Sequence, residues 1–293
     1  MPSMSALAVG LVLVSAVMHA TWNVLAKRSA DPLAFLFAIG VAGVALYTVP
    51  ALVVLQQDGL EIDGLPYLVA SGFLQFVYTL TLAAAYRHGA LSLAYPVARG
   101  TGVVLVPLLA IPLLGEQPTW LAFVGIATIV AGLLLINVLG ARGQVAQEIE
   151  RGKRGLLFAF LTGLTITVYS LIDKVGVARI HPLLYVYGIV LIEVVILGPY
   201  VLARRRTSLD NILATDRRAV VIAGLLNVST YMIVLAALRI GGSNVGYVVP
   251  LRETSIVVAT VLGVVVLHER IGWIRLAGCG CIAVGVVTIA LGG

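Results

Sequence analysis

The sequence predicts an all-α integral membrane protein of ten transmembrane helices, built as two inverted five-helix repeats, and three observations support this. Hydrophobic residues make up 60% of the 293-residue chain, charged residues only 11%, and the mean hydropathy is +1.08. Such values exclude an ordinary soluble domain. The apolar residues fall into runs of about 20 residues, the length that crosses a bilayer. The two halves of the chain also repeat the same residues in the same order.

Each apolar run is predicted to be a helix, because the runs are too long and too uniformly apolar for the alternating strands of a membrane barrel. The organisation that follows is a first repeat at residues 1–139, a cytoplasmic linker at 140–154 and a second repeat at 155–293. The predicted helices one to ten cover roughly residues 4–26, 33–55, 65–86, 92–114, 119–139, 155–174, 183–203, 218–238, 244–266 and 272–291.

The internal repeat has an offset of 153 residues (269 − 116), which superposes residues 114–117 (LGEQ) on residues 267–270 (LHER). The same offset superposes Arg99 on Arg252. Because each repeat has an odd number of helices, the second repeat must enter the membrane from the opposite side. Duplicated apolar halves of this kind are typical of secondary transporters.

Positive charge is distributed unevenly between the loops. The loops after the odd-numbered helices carry fourteen of the 19 Lys and Arg residues, and the other loops carry only Lys174, Arg179 and Arg239. Basic residues of short loops concentrate on the cytoplasmic side, so both termini are predicted to be non-cytoplasmic in a multi-pass protein of the cell (inner) membrane. This topology and contact with anionic lipid explain the net charge of +6 without a nucleic-acid partner.

Small residues, prolines and acids recur near the same helix ends in both halves. They are Gly89, Ala90, Pro107, Glu116, Gly125 and Gly132 in the first half, and Gly241, Gly242, Glu269, Gly278 and Gly285 in the second. With these residues the chain resembles the drug/metabolite transporter superfamily, and within it the EamA-type ten-helix permeases, similar to YddG-type amino-acid exporters. It departs from that pattern at Thr260, the repeat partner of Pro107. Glu116 and Glu269 are interpreted as structural acceptors for backbone or basic groups.

A substrate is expected near the middle of the membrane, where Gly- and Pro-interrupted helices of the two halves face each other. Helices four and nine are the first candidates, because helix four has five Gly and Pro residues between positions 96 and 112, and helix nine has Gly246 and Pro250. Polar side chains on apolar helices usually turn away from lipid. The candidate substrate-binding residues are His19, Trp22, Asn23, Gln75, Tyr78, Tyr95, Arg99, Tyr169, Asn227, Tyr231, Arg252 and Glu253.

The candidates on helix one share a face, since His19, Trp22 and Asn23 follow the spacing i, i+3 and i+4. An imidazole, an indole and an amide together could hold an amphipathic ligand. The alternative is that His19 and Asn23 bond a neighbouring helix while Trp22 anchors the protein at the membrane interface.

Tyrosines supply a second group of candidates. Tyr78 on helix three has Tyr231 on helix eight as its repeat partner, and a tyrosine pair from inverted halves suits a central cavity. Asn227 lies one turn before Tyr231, and on helix six Tyr169 lies one turn before Asp173. Packing and hydrogen bonds between helices are the alternative explanation for each residue alone.

Ionisable residues inside the spans form the third group. Arg99 and the neighbouring pair Arg252 and Glu253 could bind the carboxylate and the ammonium of a zwitterion. The alternative is a structural charge pair that closes one gate. Glu193, in the middle of helix seven, is the candidate proton-linked group, with a structural acid as its alternative.

The sequence therefore predicts a secondary transporter that exports small metabolites, with amino acids, aromatic or large and apolar, as the leading class, by alternating access. Export follows from the resemblance alone. Alternatives are a transporter of drugs, sugars or nucleotide derivatives, and a membrane enzyme or receptor that does not transport. Zinc-protease, GxSxG and Walker motifs do not occur in the sequence, so we predict no enzyme and assign no catalytic residue, metal or cofactor. The predicted partners are a small-molecule substrate and the lipid bilayer, and the oligomeric state is left open, a monomer included.

Overall fold

The computed structural model consists of long helices joined by short loops. It describes residues 5–27, 29–88, 91–137, 153–240, 243–267 and 272–292, with backbone alone at residues 27, 86, 91–96, 137 and 263–267. No strand occurs in these ranges. Among the described residues nine helical segments are long and apolar enough to cross a membrane, and one of them, Val245–Leu262, contains a short interruption. Trp120–Ile136 is a shorter apolar helix. The protein is a multi-pass membrane protein.

We number the α-helices of the described part of the chain in order. They are α1 Ala6–Lys27, α2 Pro32–Asp58, α3 Leu65–His88, α4 Leu91–Leu114, α5 Trp120–Asn137, α6 Lys153–Arg179, α7 Pro182–Arg204, α8 Arg206–Thr215, α9 Arg217–Arg239, α10 Val245–Leu251, α11 Thr254–Leu267 and α12 Trp273–Gly292. A single 3-10 turn, Ile62–Gly64, comes directly before α3.

The predicted all-helical membrane bundle of two repeats is confirmed, with three differences in its helices. Predicted helix nine is two helices, α10 and α11, which are separated at Arg252 and Glu253. The predicted loop between helices seven and eight contains a short extra helix, α8. Predicted helix six is longer than expected, so that Lys174, which we assigned to a loop, lies inside α6.

The two repeats interlock, because most of the extensive helix contacts join one repeat to the other. Helix α1 packs along α9, and α3 packs along α6. These two contacts are interchanged when the repeats are exchanged, since α6 and α9 are the first and third spans of the second repeat. Helices α2 and α5 pack on their own repeat partners, α7 and α12. A contact pattern that maps onto itself in this way is expected of duplicated halves related by a twofold axis.

Helices α5 and α12 approach each other so closely that glycine is required at their contacts. A Cβ atom on Gly125 would lie 2.7 Å from the carbonyl oxygen of Gly285, and one on Gly132 would lie 2.7 Å from that of Gly278. A Cβ atom on Gly278 would lie 2.5 Å from Cγ1 of Ile136. Small residues let backbones pack closely where water provides no driving force, so these four glycines fix the α5–α12 contact.

We expect Gly278→Ala to lower the thermal unfolding midpoint of the purified protein, because the new methyl group overlaps atoms of α5. Overpacking of this kind costs about 1–3 kcal/mol. Gly280→Ala, two residues along the same helix, is the matched control, since nothing lies within 4 Å of its added Cβ. Equal midpoints for the two variants, measured by tryptophan fluorescence in detergent, would contradict the assigned packing.

At one end of the bundle, which we call the Glu116 end, backbone N–H groups donate hydrogen bonds to side-chain oxygens. The carboxylate of Glu116 accepts hydrogen bonds from the backbone N–H groups of Val245 (2.7 Å) and Gly246 (3.1 Å), at the start of α10. The Tyr247 hydroxyl accepts one from the Thr119 N–H (3.0 Å). Burial raises the pKa of the Glu116 carboxyl, although the two amide hydrogen bonds oppose this shift. Glu116 thus caps a helix of the other repeat.

The opposite end of the bundle, which we call the Asp31 end, is held by an ion pair between α2 and α7. Asp31 caps α2 through the Ala34 N–H (3.3 Å) and accepts a hydrogen bond from Nη1 of Arg205 (2.8 Å). Burial of the carboxyl disfavours its ionisation, but the hydrogen bonds from Arg205 and Ala34 outweigh burial and lower the pKa of Asp31. The pair joins the two repeats at this end.

The lowered pKa of Asp31 predicts a stabilisation that depends on pH. The ionised carboxyl contributes fully above the pKa of Asp31 in the unfolded chain, about 4, and its contribution is lost as the pH falls through the lower folded value. We expect Asp31→Asn to cost on the order of 0.5 kcal/mol at neutral pH, since Arg205 is partly exposed, and less as the solution is acidified below pH 4. Thermal unfolding of both proteins across this range measures the difference. A deficit that persists at low pH would show that the charge is not responsible; Asp210→Asn on exposed α8 is the control.

Candidate functional site

The break between α10 and α11 places two charged residues inside the bundle. Pro250 has no N–H group, so the helical hydrogen bond to residue 246 cannot form. The next turns tighten, with Glu253 N donating to the Pro250 carbonyl (3.0 Å) and Ser255 N to the Arg252 carbonyl (3.0 Å). Discontinuous helices of this kind form substrate sites in transporters, because they direct backbone and charged groups at the ligand.

A buried ion pair between the repeats lies at this break. Nη2 of Arg99 on α4 lies 2.5 Å from Oε1 of Glu253, and Nε of Arg99 donates to Oε2 at 3.2 Å. The side chain of Glu253 is 2% exposed and that of Arg99 is 11% exposed. The contact is bidentate, the strongest arrangement for an arginine and a carboxylate. The two residues therefore form an ion pair with each other, and binding of a substrate by them stays a prediction.

Arg252 is left with a different kind of partner. Its guanidinium carbon lies 5.3 Å from the ring centre of Tyr231, a cation–π contact. Within the described ranges it has no carboxylate at ion-pair distance. A cavity of about 10 Å³, the space of one water molecule, lies beside it. The lining residues are Arg99, Ile166, Val249, Arg252 and Glu253.

Aromatic side chains of four helices, α1, α3, α6 and α9, surround these charges. The rings of Tyr78 on α3 and Tyr169 on α6 meet edge to face, with 6.2 Å between their centres. Tyr169 in turn lies within electrostatic reach of Tyr231. His19 on α1 lies within electrostatic reach of both arginines, and its ring meets that of Trp22 edge to face at 5.0 Å. The predicted candidates from helices one, three, four, six, eight and nine therefore converge.

The carboxyl of Asp173 on α6 is a second charged centre, which the sequence did not identify as a site residue. Asp173 is fully buried, Oδ1 accepts a hydrogen bond from the Tyr185 hydroxyl (3.0 Å), and Oδ2 accepts one from the Tyr231 hydroxyl. The Tyr185 ring packs against Gly176, where any Cβ atom would overlap it. In the sequence, the contact between Asp173 and Tyr185 is indicated only by their positions, twelve residues apart on adjacent spans.

Three of the predicted residues take a less central part in this arrangement. The Asn23 amide donates to the His19 carbonyl of its own helix (2.7 Å), so it is engaged locally. Gln75 and Asn227 are half-buried on α3 and α9. Nε2 of Gln75 and Nε1 of Trp22 are buried and have no hydrogen-bond partner in the described part of the chain. Buried donors without partners are costly, so these two atoms are available to a ligand or to water.

Two further predictions concern Tyr95 and Glu193. The Tyr95 side chain lies outside the described residues. Glu193 on α7 is half-buried, and Oε1 accepts a hydrogen bond from the Thr79 hydroxyl (2.9 Å). It lies within electrostatic reach of Tyr78, so it stands at the edge of the aromatic group. A role for Glu193 in proton transfer stays a prediction.

The described residues contain no group of three or more His, Cys, Asp and Glu side chains that could hold a metal ion. What the site offers is a bidentate ion pair, a second guanidinium, a buried carboxyl and several aromatic rings. Such groups bind and orient a small charged molecule with an apolar part.

Comparison with known proteins agrees with this architecture. The model of the EamA-like transporter family matches residues 6–138 and 153–291, one match for each half of the chain. A solved crystal structure is similar in fold, with a TM-score of 0.74, 18% sequence identity and 99% of each chain covered. None of the curated proteins matches the sequence significantly.

Proposed function

Because the chain belongs to the EamA-like transporter family, a family of membrane transporters of small molecules, we propose that it carries small metabolites with a carboxylate group, and amino acids in particular. The observation that carries this proposal is the position of Arg252. It lies at the break between α10 and α11, where the two repeats meet, and no carboxylate of the described residues pairs with it.

The charge of the site favours an anionic group on the substrate. Arg99 and Arg252 bring two positive charges, and the ion pair of Glu253 is with Arg99. The carboxyl of Asp173 interacts with Arg252 from a greater distance, so Arg252 has no carboxylate in direct contact among the described residues. A planar guanidinium binds a carboxylate through two parallel hydrogen bonds. The substrate carboxylate would take this place beside Arg252. Phosphorylated substrates would require a larger cluster of basic groups, so sugar phosphates and nucleotide derivatives fit less well.

The surroundings of Arg252 supply places for the rest of an amino acid. An ammonium group would be stabilised by the rings of Tyr78 and Tyr169. The same rings and the indole of Trp22 offer apolar surface to an aromatic or large aliphatic side chain. The donors Nε1 of Trp22 and Nε2 of Gln75, which have no partner among the described residues, would bond substrate oxygens or water.

The small size of the cavity implies that the substrate enters from another conformation. A volume of about 10 Å³ holds a water molecule and not an amino acid. We infer that the repeats move against each other to open the site to one side of the membrane at a time. The contacts at the Glu116 end would have to break when that end opens.

We further propose that transport is directed outward across the cell (inner) membrane, with the Asp31 end in the cytoplasm and both termini outside it. The basic loops support this orientation. In a chain with Cys279→Ala and Cys281→Ala, a membrane-impermeant maleimide added to intact cells should label Gln117→Cys and spare Asp210→Cys. Both side chains are exposed, at opposite ends of the bundle. The reverse labelling pattern would overturn the orientation.

Uptake into proteoliposomes tests the function itself. We expect saturable uptake of labelled L-phenylalanine or L-leucine by the purified protein, and about 30-fold weaker apparent affinity in Arg252→Gln, because one charged partner of the carboxylate, on the order of 2 kcal/mol, is lost. Arg252→Lys should fall between, since an ammonium cannot form the bidentate contact.

Arg239→Gln is the matched control for that measurement, because Arg239 is exposed at the end of α9. It should transport like the natural sequence. Unchanged affinity in folded Arg252→Gln protein would remove Arg252 from the substrate site. A lack of saturable flux for every amino acid in the panel would reject the proposed substrate class.

A further inference from the structure

Asp173 is buried among hydroxyl groups, and the transport mechanism above makes no use of it. It accepts hydrogen bonds from Tyr185 on α7 and Tyr231 on α9, and the Ser71 hydroxyl of α3 lies beside it. No Lys or Arg pairs with it directly among the described residues. Lys174, its neighbour in sequence, points away and donates to the carbonyls of Leu238 (2.8 Å) and Ser243 (2.6 Å).

The other charged and titratable groups that face Asp173 come from the helices packed around α6. Arg252, between α10 and α11, lies within electrostatic reach beyond the Tyr231 ring, and Tyr169 lies one turn earlier on α6 itself. Helix α4 contributes Arg99, whose carboxylate partner is Glu253. Tyr231 connects Asp173 to the proposed substrate site. Its hydroxyl donates a hydrogen bond to Asp173, and its ring contacts Arg252.

We propose that Asp173 is the proton-binding group of the transport cycle and that Tyr231 links its protonation to the substrate. This inference rests on the proposed function for the identity of the substrate. While Asp173 is ionised, the Tyr231 O–H bond points at its carboxylate. When a proton binds to Oδ2, the acid becomes the donor, the Tyr231 oxygen accepts, and the Tyr231 hydrogen is free to turn towards a substrate carboxylate at Arg252.

Protonation of Asp173 also removes a negative charge near Arg252, and this change favours substrate binding just as the reoriented Tyr231 hydroxyl does. With Asp173 ionised, its negative charge faces Arg252 and repels a second carboxylate there. With Asp173 protonated, Arg252 is left to the substrate. One proton is taken up with each substrate carboxylate and released with it on the other side, so the cargo and the proton move in the same direction. Outward transport, as proposed above, is then driven by an excess of substrate inside the cell and not by the inward proton gradient. Glu193 is less suited to this role, because its neighbours Thr79 and Tyr78 carry no positive charge.

The first experiment measures accumulation of labelled L-phenylalanine in proteoliposomes of the whole protein, driven by a proton gradient, and beside it counterflow without a gradient. We expect Asp173→Asn to lose accumulation against a gradient and to keep counterflow, since exchange needs no net proton transfer. Its apparent affinity should no longer vary with pH, whereas the natural sequence should change up to about tenfold per pH unit over the range where one linked proton dissociates.

Tyr231→Phe tests the role of the Tyr231 hydroxyl separately from proton binding by Asp173. It keeps the ring under Arg252 and lacks the hydroxyl, so it should bind substrate and lose the part of the coupling that depends on the hydroxyl. The pH dependence of its affinity should fall between those of the natural sequence and Asp173→Asn. Asp210→Asn on α8 removes an exposed acid and should behave like the natural sequence. The proposal would be overturned if Asp173→Asn still accumulated substrate in response to the proton gradient. It would also be overturned if Glu193→Gln lost this accumulation while Asp173→Asn kept it.

An infrared titration decides the matter without a substrate. In purified protein the natural sequence should show a carboxylic acid band whose intensity changes with pH and which is missing in Asp173→Asn. If the natural sequence moves no amino acid, the proposed function fails, and this band still supports or rejects proton binding by Asp173. Asp173→Asn could be inactive in both accumulation and counterflow. In that case the infrared band decides: a carboxylic acid band that Asp173→Asn lacks supports the proposal, and the absence of such a band in the natural sequence overturns it.

Discussion

The buried ion pair between Arg99 and Glu253 is the contact on which the centre of the molecule depends. Two charges in an apolar bundle are tolerated only when they compensate each other, and removal of one partner from such a pair typically costs about 3–5 kcal/mol. The pair joins α4 to the break between α10 and α11, so it sets the position of one repeat against the other. Because Glu253 is occupied by Arg99, the neighbouring Arg252 is directed to the ring of Tyr231.

The hydrogen bonds of the helix break explain why this pair can form. Pro250 interrupts the hydrogen bonding of the span, and the tighter turn that follows presents Arg252 and Glu253 in sequence at the centre of the bundle. Glu116 holds the start of α10 from the other repeat, so the short helix is fixed at both of its ends. A seven-residue helix would be marginal by itself, and these contacts with its neighbours stabilise it.

The fold class could be predicted from the sequence because hydropathy and the 153-residue offset act over many residues at once. The repeat partners Arg99 and Arg252 also directed attention to the right helices. The break itself could not be predicted, because a proline in a span either kinks a helix or ends it, according to its neighbours. The pairing of Glu253 with Arg99 and not with Arg252 is likewise a matter of distances that a sequence does not contain.

Asp173 shows the same limit within the candidate site. Its position one turn from Tyr169 placed it on a polar face, but the groups that surround it come from three other helices. Glu193 is predicted to be proton-linked because it is an acid in the middle of a span, and this stays a prediction. Its neighbours in the structure are a threonine hydroxyl and a tyrosine, which the sequence alone did not place beside it.

The glycine contacts of α5 and α12 have a consequence for how such a molecule can move. Exchange of the two repeats turns the contact of Gly125 with Gly285 into that of Gly278 with Gly132. The contact between α5 and α12 is therefore symmetric under this exchange. In transporters made of inverted repeats, the two open states are related by letting each half adopt the shape of the other. A helix contact that is symmetric in this way has the same structure in both states, so it does not change the free-energy difference between them. If the repeats alternate as proposed, the α5–α12 contact can stay unchanged during the transition. A preference for one state would then come from contacts without a symmetric counterpart, such as those of Thr260, where the repeat would place a second Pro107.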